Sequence, residues 1–123
     1  MVIDEQFIRE WIKQQEKSCA DENSELHWTD DHLINLMLHG QFEELWNFVL
    51  RTYKRDLSQD VISILAAGPL EDILAKKGEE YIGRTELLAA NDEKFKYLLG
   101  GVWQNSMSDE VWARVQAASE PWQ

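Results

Sequence analysis

Apolar residues recur three and four positions apart along almost the whole chain, the spacing that places side chains on one face of an α-helix. The clearest stripe consists of Phe42, Leu45, Trp46, Val49 and Tyr53. No long stretch alternates between apolar and polar residues, as a half-buried strand would. The pattern therefore predicts an all-α protein of about seven to eight short helices.

Capping residues and helix breakers divide these stripes into separate helices. The predicted N-caps are Asp4, Thr29, Ser58, Asp92 and Ser108. The predicted helix ends lie at Gly40, Gly68-Pro69, Gly78 and Gly100-Gly101. Side chains of Asp, Ser and Thr accept hydrogen bonds from the free N–H groups of a first helical turn, whereas glycine and proline interrupt helices. Short helices with short connections pack as antiparallel neighbours, so we expect an orthogonal bundle or a short stack of helical hairpins.

Length and net charge limit the classes of function. The 123 residues are expected to form one domain, residues 1–123. With 23 acidic and 12 basic residues, the net charge is −11, which opposes nucleic-acid binding because that affinity depends on Lys and Arg. The chain starts without a signal-peptide pattern, and no apolar run reaches the roughly 20 residues that span a bilayer. A cytoplasmic protein without nucleic-acid or membrane partners is therefore predicted.

The negative charge is concentrated in residues 18–50, here called the acidic segment, which contains no Lys or Arg. Its seven acidic residues are Asp21, Glu22, Glu25, Asp30, Asp31, Glu43 and Glu44. Mutual repulsion of these carboxylates works against a compact fold, so their presence suggests a use. We hypothesise that Ser18 to Glu44 forms a docking surface for another protein with a basic surface, the alternative being a solvated acidic face.

Six tryptophans offer a second candidate for binding. Trp11, Trp46 and Trp112 lie on helical apolar stripes and are predicted to belong to the core. Trp28 and Trp122 lie in polar or terminal segments, where an exposed aromatic ring is typical of a partner contact. Trp28 therefore joins the seven acidic residues as a predicted partner-binding residue.

The sequence otherwise offers little evidence for a catalytic or metal-binding site. Pairs of adjacent carboxylates recur, and a hydrolase needs two carboxylates facing one cleft. Most pairs, however, fall in predicted first turns, where the helix dipole favours acidic residues. His27, His32 and His39 lack the spacing of three or four residues at which helical metal ligands converge. No phosphate-binding loop, H-E-x-x-H or G-x-S-x-G motif is present, so no catalytic residue, metal or cofactor is predicted.

Four strings in the C-terminal half form an ordered set. They are LAAGPLEDIL (65–74), GEEYI (78–82), LGGVW (99–103) and DEVW (109–112). Together they resemble a family of small bacterial proteins described only as a domain of unknown function, and the resemblance covers about residues 60–117. The resemblance implies a bacterial source and an all-helical fold. It implies no activity, so no catalytic residue is carried over.

These observations favour a non-enzymatic domain that binds a partner protein through an acidic surface. An immunity or antitoxin-like role, neutralising a basic toxin such as a nuclease, is one concrete form. The alternative is a small hydrolase or ligand-binding domain with carboxylates around a Trp-lined pocket, for which Glu71, Asp72 and Trp103 are the candidate residues. A structural subunit or homo-oligomer is a third hypothesis, and it would be marked by a large exposed apolar patch.

Overall fold

The computed structural model describes residues 3–20 and 28–120, and every regular element in these two ranges is helical. The described residues contain seven α-helices and a π-helical turn: α1 (Glu5–Ala20), α2 (Trp28–Leu38), α3 (Phe42–Thr52), α4 (Gln59–Leu65), the π turn (Ala66–Leu70), α5 (Glu71–Asn91), α6 (Glu93–Leu99) and α7 (Asp109–Ala118). The predicted all-α class is thus confirmed. None of the helices described is long and apolar enough to cross a membrane.

Side-chain capping fixes the start of four helices as predicted. Asp4, Ser58, Asp92 and Ser108 each accept a hydrogen bond from a backbone N–H of the following first turn, at 2.9–3.4 Å. The prediction for Thr29 is wrong, because α2 already includes Trp28 and Thr29 is buried inside the helix. Local capping therefore sets the starts of α1, α4, α6 and α7.

The predicted helix end at Gly68-Pro69 is wrong, because the chain runs from α4 into α5 through the π turn. The backbone N–H of Glu71 donates to the carbonyl oxygen of Ala66, five residues earlier. This wider turn leaves room for the ring of Pro69, which has no N–H to donate. Pro69 is also buried, so tertiary packing stabilises the continuous helical path.

The predicted break at Gly78 occurs as a kink inside α5. Lys77, the preceding residue, has non-helical angles of φ −134° and ψ 34°. A Cβ atom placed on Gly78 would lie 3.0 Å from Cγ1 of Val111. Glycine at this position therefore allows the close approach of α5 and α7.

Two glycine substitutions in α5 test this packing. Gly83 is exposed, and a Cβ atom there would meet no atom within 4 Å. Because alanine is the better helix former, Gly83→Ala is expected to raise the free energy of unfolding by about 1 kcal/mol. Gly78→Ala is expected to lower the melting temperature, since Val111 must shift. Thermal unfolding followed by circular dichroism measures both, and stabilisation by Gly78→Ala would contradict the close contact.

The core is organised around α3. The side chain of Phe48 is fully buried, and the rings of Phe7 and Trp11 from α1 pack edge-on against it at centroid distances of 5.9 and 5.2 Å. Trp11 and Trp46 are 1% and 4% exposed, which confirms their predicted core positions. Trp112 is half-buried at the edge of the core. The helix with the clearest sequence stripe thus has six of its eleven residues buried.

Candidate functional site

The predicted partner-binding acids do not share one environment. Asp21, Glu22 and Glu25 lie outside the described residues. Asp31 on α2 and Glu44 on α3 are exposed, and neither has a hydrogen-bond or ion-pair partner among the residues that the structure describes. These two carboxylates are therefore available at the surface.

Asp30 instead joins α2 to α1. Its Oδ1 atom accepts hydrogen bonds from the indole N–H of Trp11 at 3.2 Å and from the side-chain amide of Gln15 at 2.9 Å. The same amide lies 3.1 Å from Oδ2. Both donors are neutral, so they satisfy the carboxylate without cancelling its negative charge.

Glu43 is neutralised by a helix outside the acidic segment. Its carboxylate accepts hydrogen bonds from Arg84 at 2.8 and 2.9 Å and from the Tyr81 hydroxyl at 2.8 Å. Arg84 and Tyr81 hold the pKa of Glu43 below its usual value. Burial, together with the Glu43 carboxylate, raises the pKa of Tyr81 to about 12. Glu43 thus belongs to an interhelical cluster and carries less free charge than Asp31 or Glu44.

One face of α2 combines apolar and polar side chains at the surface. Trp28, Ile34 and Leu38 are 45%, 41% and 70% exposed. At 100° per residue they lie on one helical stripe, opposite the buried residues of α2. We call this stripe the exposed α2 face, which consists of Trp28, Asp31, Ile34, Asn35 and Leu38. Trp28 is partly fixed by its edge-on packing against Phe7 at 5.5 Å.

A cleft of about 180 Å³ lies between α2 and the π turn. Its lining residues include Trp11, Asp30, Ile34, Gly68, Pro69 and Asp72, and the others are leucine and isoleucine. Asp72 is half-buried. Burial raises the pKa of Asp72, and the Glu71 carboxylate adds to this effect while Lys76 opposes it. The cleft therefore brings two carboxylates to an otherwise mostly apolar site.

The structure does not place the three residues of the alternative site around one pocket. Glu71 is 8% exposed. Its carboxylate accepts hydrogen bonds from the backbone N–H of Trp103 at 2.8 Å and from the side-chain amide of Asn105 at 3.2 Å. Glu71 thereby fixes the connection between α6 and α7, whereas Asp72 faces the cleft described above. The side chain of Trp103 is 71% exposed.

The ring of Trp103 borders a larger groove of about 680 Å³, which Trp112 also lines. The groove lies between α7, the end of α6 with the residues that follow it, and Ser63 and Ala67 on α4 and the π turn. No carboxylate is found among its described lining residues. The two-indole groove and the carboxylate-lined cleft are therefore different places on the molecule.

Sequence reasoning did not identify Ile34, Leu38 and Arg84. A signal existed for the first two, because α2 carries apolar residues on two sides and a surface helix can turn only one side to the core. No local signal pointed to Arg84, which lies 41 residues from Glu43.

These features describe a helical protein whose α2 exposes three apolar side chains beside the carboxylate of Asp31. A family model described as a family of unknown function, DUF6869, matches residues 15–121. The chain therefore belongs to this family, and the match includes the whole acidic segment as well as the C-terminal strings. No curated protein and no solved structure matches the chain.

Proposed function

We propose that this protein binds a partner protein with a basic surface through the exposed α2 face and Glu44. The observation that carries the proposal is the exposure of Trp28, Ile34 and Leu38 on one stripe, beside the Asp31 carboxylate, which has no partner among the described residues. Exposed apolar clusters with a polar surround are typical of protein interaction sites, and a tryptophan ring often supplies a large share of the binding energy.

Charge and apolar area have different roles in this proposal. Unpaired carboxylates attract a basic partner over a distance and raise the association rate. Buried apolar side chains then lengthen the lifetime of the complex. Asp21, Glu22 and Glu25 would strengthen the attraction, since the sequence places them just before α2. An immunity or antitoxin-like role against a basic toxin in the bacterial cytoplasm is a concrete form of this function.

Site-specific crosslinking in the native host tests the position of the interface. A photo-reactive amino acid replaces Leu38, which is 70% exposed on α2, or Leu87, which is 68% exposed on α5. Leu87 is the matched control because its exposure is similar and it lies outside the exposed α2 face. A basic protein crosslinked from position 38 and absent from position 87 supports the proposal. The same protein crosslinked equally from both positions contradicts it.

The identified partner then allows a test of the electrostatic contribution. The double variant Asp31→Asn/Glu44→Gln is expected to associate about five to ten times more slowly at low salt, because two attractive charges are lost. The difference should shrink at physiological salt, where the Debye length is about 8 Å. Asp60→Asn/Glu79→Gln removes the same charge from exposed positions elsewhere. Equal association rates for the two double variants would contradict the proposal.

A further inference from the structure

The cleft between α2 and the π turn is lined by two carboxylates that form no ion pair with a described Lys or Arg, although Lys76 on α5 partly offsets the charge of Asp72. Asp30 is held by the neutral donors Trp11 and Gln15. Asp72 has no hydrogen-bond partner among the described residues. No Lys or Arg belongs to the described lining of the cleft. Glu43 differs from Asp30 and Asp72, since its carboxylate is paired with Arg84.

The usual explanation for an acidic residue at the start of a helix does not apply to Asp72. Acids are favoured at a helix N-terminus because the N–H groups there are free. Here the helical path continues through the π turn into α5, and the N–H of Glu71 already donates to Ala66. Free N–H groups therefore do not account for Asp72, whose charged neighbour on α5 is Lys76, and π turns are frequent at functional sites.

The π turn also shapes the wall of the cleft. Gly68 and Pro69 line it, and a Cβ atom on Gly68 would meet no atom within 4 Å. The volume of the cleft, about 180 Å³, is close to the roughly 150 Å³ of an apolar cavity that holds one benzene molecule. It is below the range of about 300–1,000 Å³ typical of drug-sized ligands. A group of single-side-chain size is therefore the appropriate occupant.

We propose that this cleft binds a primary ammonium group carried on a short apolar stem. The carboxylates of Asp30 and Asp72 attract the ammonium group, while Trp11, Ile34 and the leucine and isoleucine side chains contact the stem. A bare metal ion fits less well, since it would leave the apolar lining without a role. The source of the ammonium group is a free amine or a lysine side chain of another protein. The proposal concerns the cleft alone and does not depend on the proposed function.

The stability of an Asp72 variant provides a second observable. The charged groups near Asp72 are Asp30 across the cleft and Glu71 and Lys76 on α5, and the Glu71 carboxylate is turned toward Trp103 and Asn105. Because burial raises the pKa of Asp72 in the folded protein, its ionised form lowers stability at pH 7. That loss disappears as the pH falls below the ordinary value of 3.8. Asp72→Asn is therefore expected to raise the melting temperature at pH 7 while removing a binding group.

Titration with n-butylammonium, followed by nuclear magnetic resonance, tests the proposal. The indole N–H resonance of Trp11 reports on the cleft because this group donates to Asp30. We expect a saturable shift of this resonance at millimolar concentration, with no shift of the Trp46 indole. Asp72→Asn should weaken binding about fivefold, the effect of one partly solvent-screened charge pair. Asp60→Asn, an exposed carboxylate one turn before Ile64 of the same cleft, should leave it unchanged.

Two further ligands test whether binding depends on the charge or the shape of the ligand, and whether the ammonium group belongs to a free amine or to a lysine. n-Butanol has the same stem without the charge, and equal affinity for it would overturn the proposal. N-acetyl-lysine methylamide carries the ammonium group on a peptide unit. Binding of this compound as tight as that of n-butylammonium supports a protein-borne lysine, and binding of n-butylammonium alone supports a free amine. The proposal would be overturned if neither ammonium compound shifted the Trp11 resonance. It would also be overturned if Asp72→Asn bound more weakly but had a lowered melting temperature.

Discussion

Replacing Trp46 with alanine is expected to lower the free energy of unfolding by about 3–5 kcal/mol, as large-to-small aromatic substitutions in cores do. The Trp46 side chain is 4% exposed. Its ring packs against Tyr81 of α5 and Phe95 of α6 at centroid distances of 5.4 and 6.1 Å. The substitution therefore leaves a cavity where three helices meet. Urea unfolding followed by circular dichroism gives the change in midpoint and slope.

Trp103→Ala is the matched control for this measurement. Trp103 is 71% exposed, and its hydrogen bond to Glu71 uses the backbone N–H, which alanine retains. The expected change in the free energy of unfolding is within about 0.5 kcal/mol. If both variants unfolded at the same urea concentration with the same slope, the buried position of Trp46 would be disproved.

The parts of the fold predicted from sequence are those determined by neighbouring residues. The α3 helix could be predicted from the helical period alone, because the apolar residues of its stripe lie within twelve positions of one another. Ser58, Asp92 and Ser108 were recognisable as caps because each bonds to an N–H two or three residues later. Interactions of this range depend little on the rest of the chain.

The π turn was not predictable because tertiary packing overrides its local sequence. Gly68 and Pro69 favour a helix end when only nearby residues are considered. In the fold, Pro69 and Leu70 are buried against the core. A break would expose these side chains, so the helical path continues in a wider turn.

The candidate site was predictable only in part for a similar reason. The absence of Lys and Arg from residues 18–50 correctly indicates a local excess of acids. It does not show that Arg84 on α5 neutralises Glu43, nor that Asp30 is tied to Trp11. Sequence gives the charges along the chain, whereas the fold decides which of them face a cation, a neutral donor or solvent.

Replacing Asp92 with alanine is expected to lower the free energy of unfolding by about 2–4 kcal/mol, because it removes two interactions at once. Asp92 caps α6 by accepting from the N–H groups of Lys94 and Phe95, and such a cap contributes about 1 kcal/mol. Its other oxygen accepts from the hydroxyl of Tyr53 at 2.6 Å. Tyr53 is 2% exposed, and an unsatisfied buried hydroxyl costs about 1–3 kcal/mol.

Two comparisons separate these contributions. Ser108→Ala removes only a cap, that of α7, and should cost about 1 kcal/mol. The double variant Tyr53→Phe/Asp92→Ala should be less destabilised than the sum of its single variants, because both remove the same hydrogen bond.

The Tyr53 hydroxyl and the capped N–H groups lower the pKa of Asp92 in the folded protein. The contribution of ionised Asp92 is thus present above its ordinary pKa of 3.8 and is lost as the pH falls through the lowered value. Urea unfolding at pH 7 and near pH 3 should show the difference between wild type and Asp92→Ala shrinking in acid, and a difference that grows in acid would contradict the role of the carboxylate.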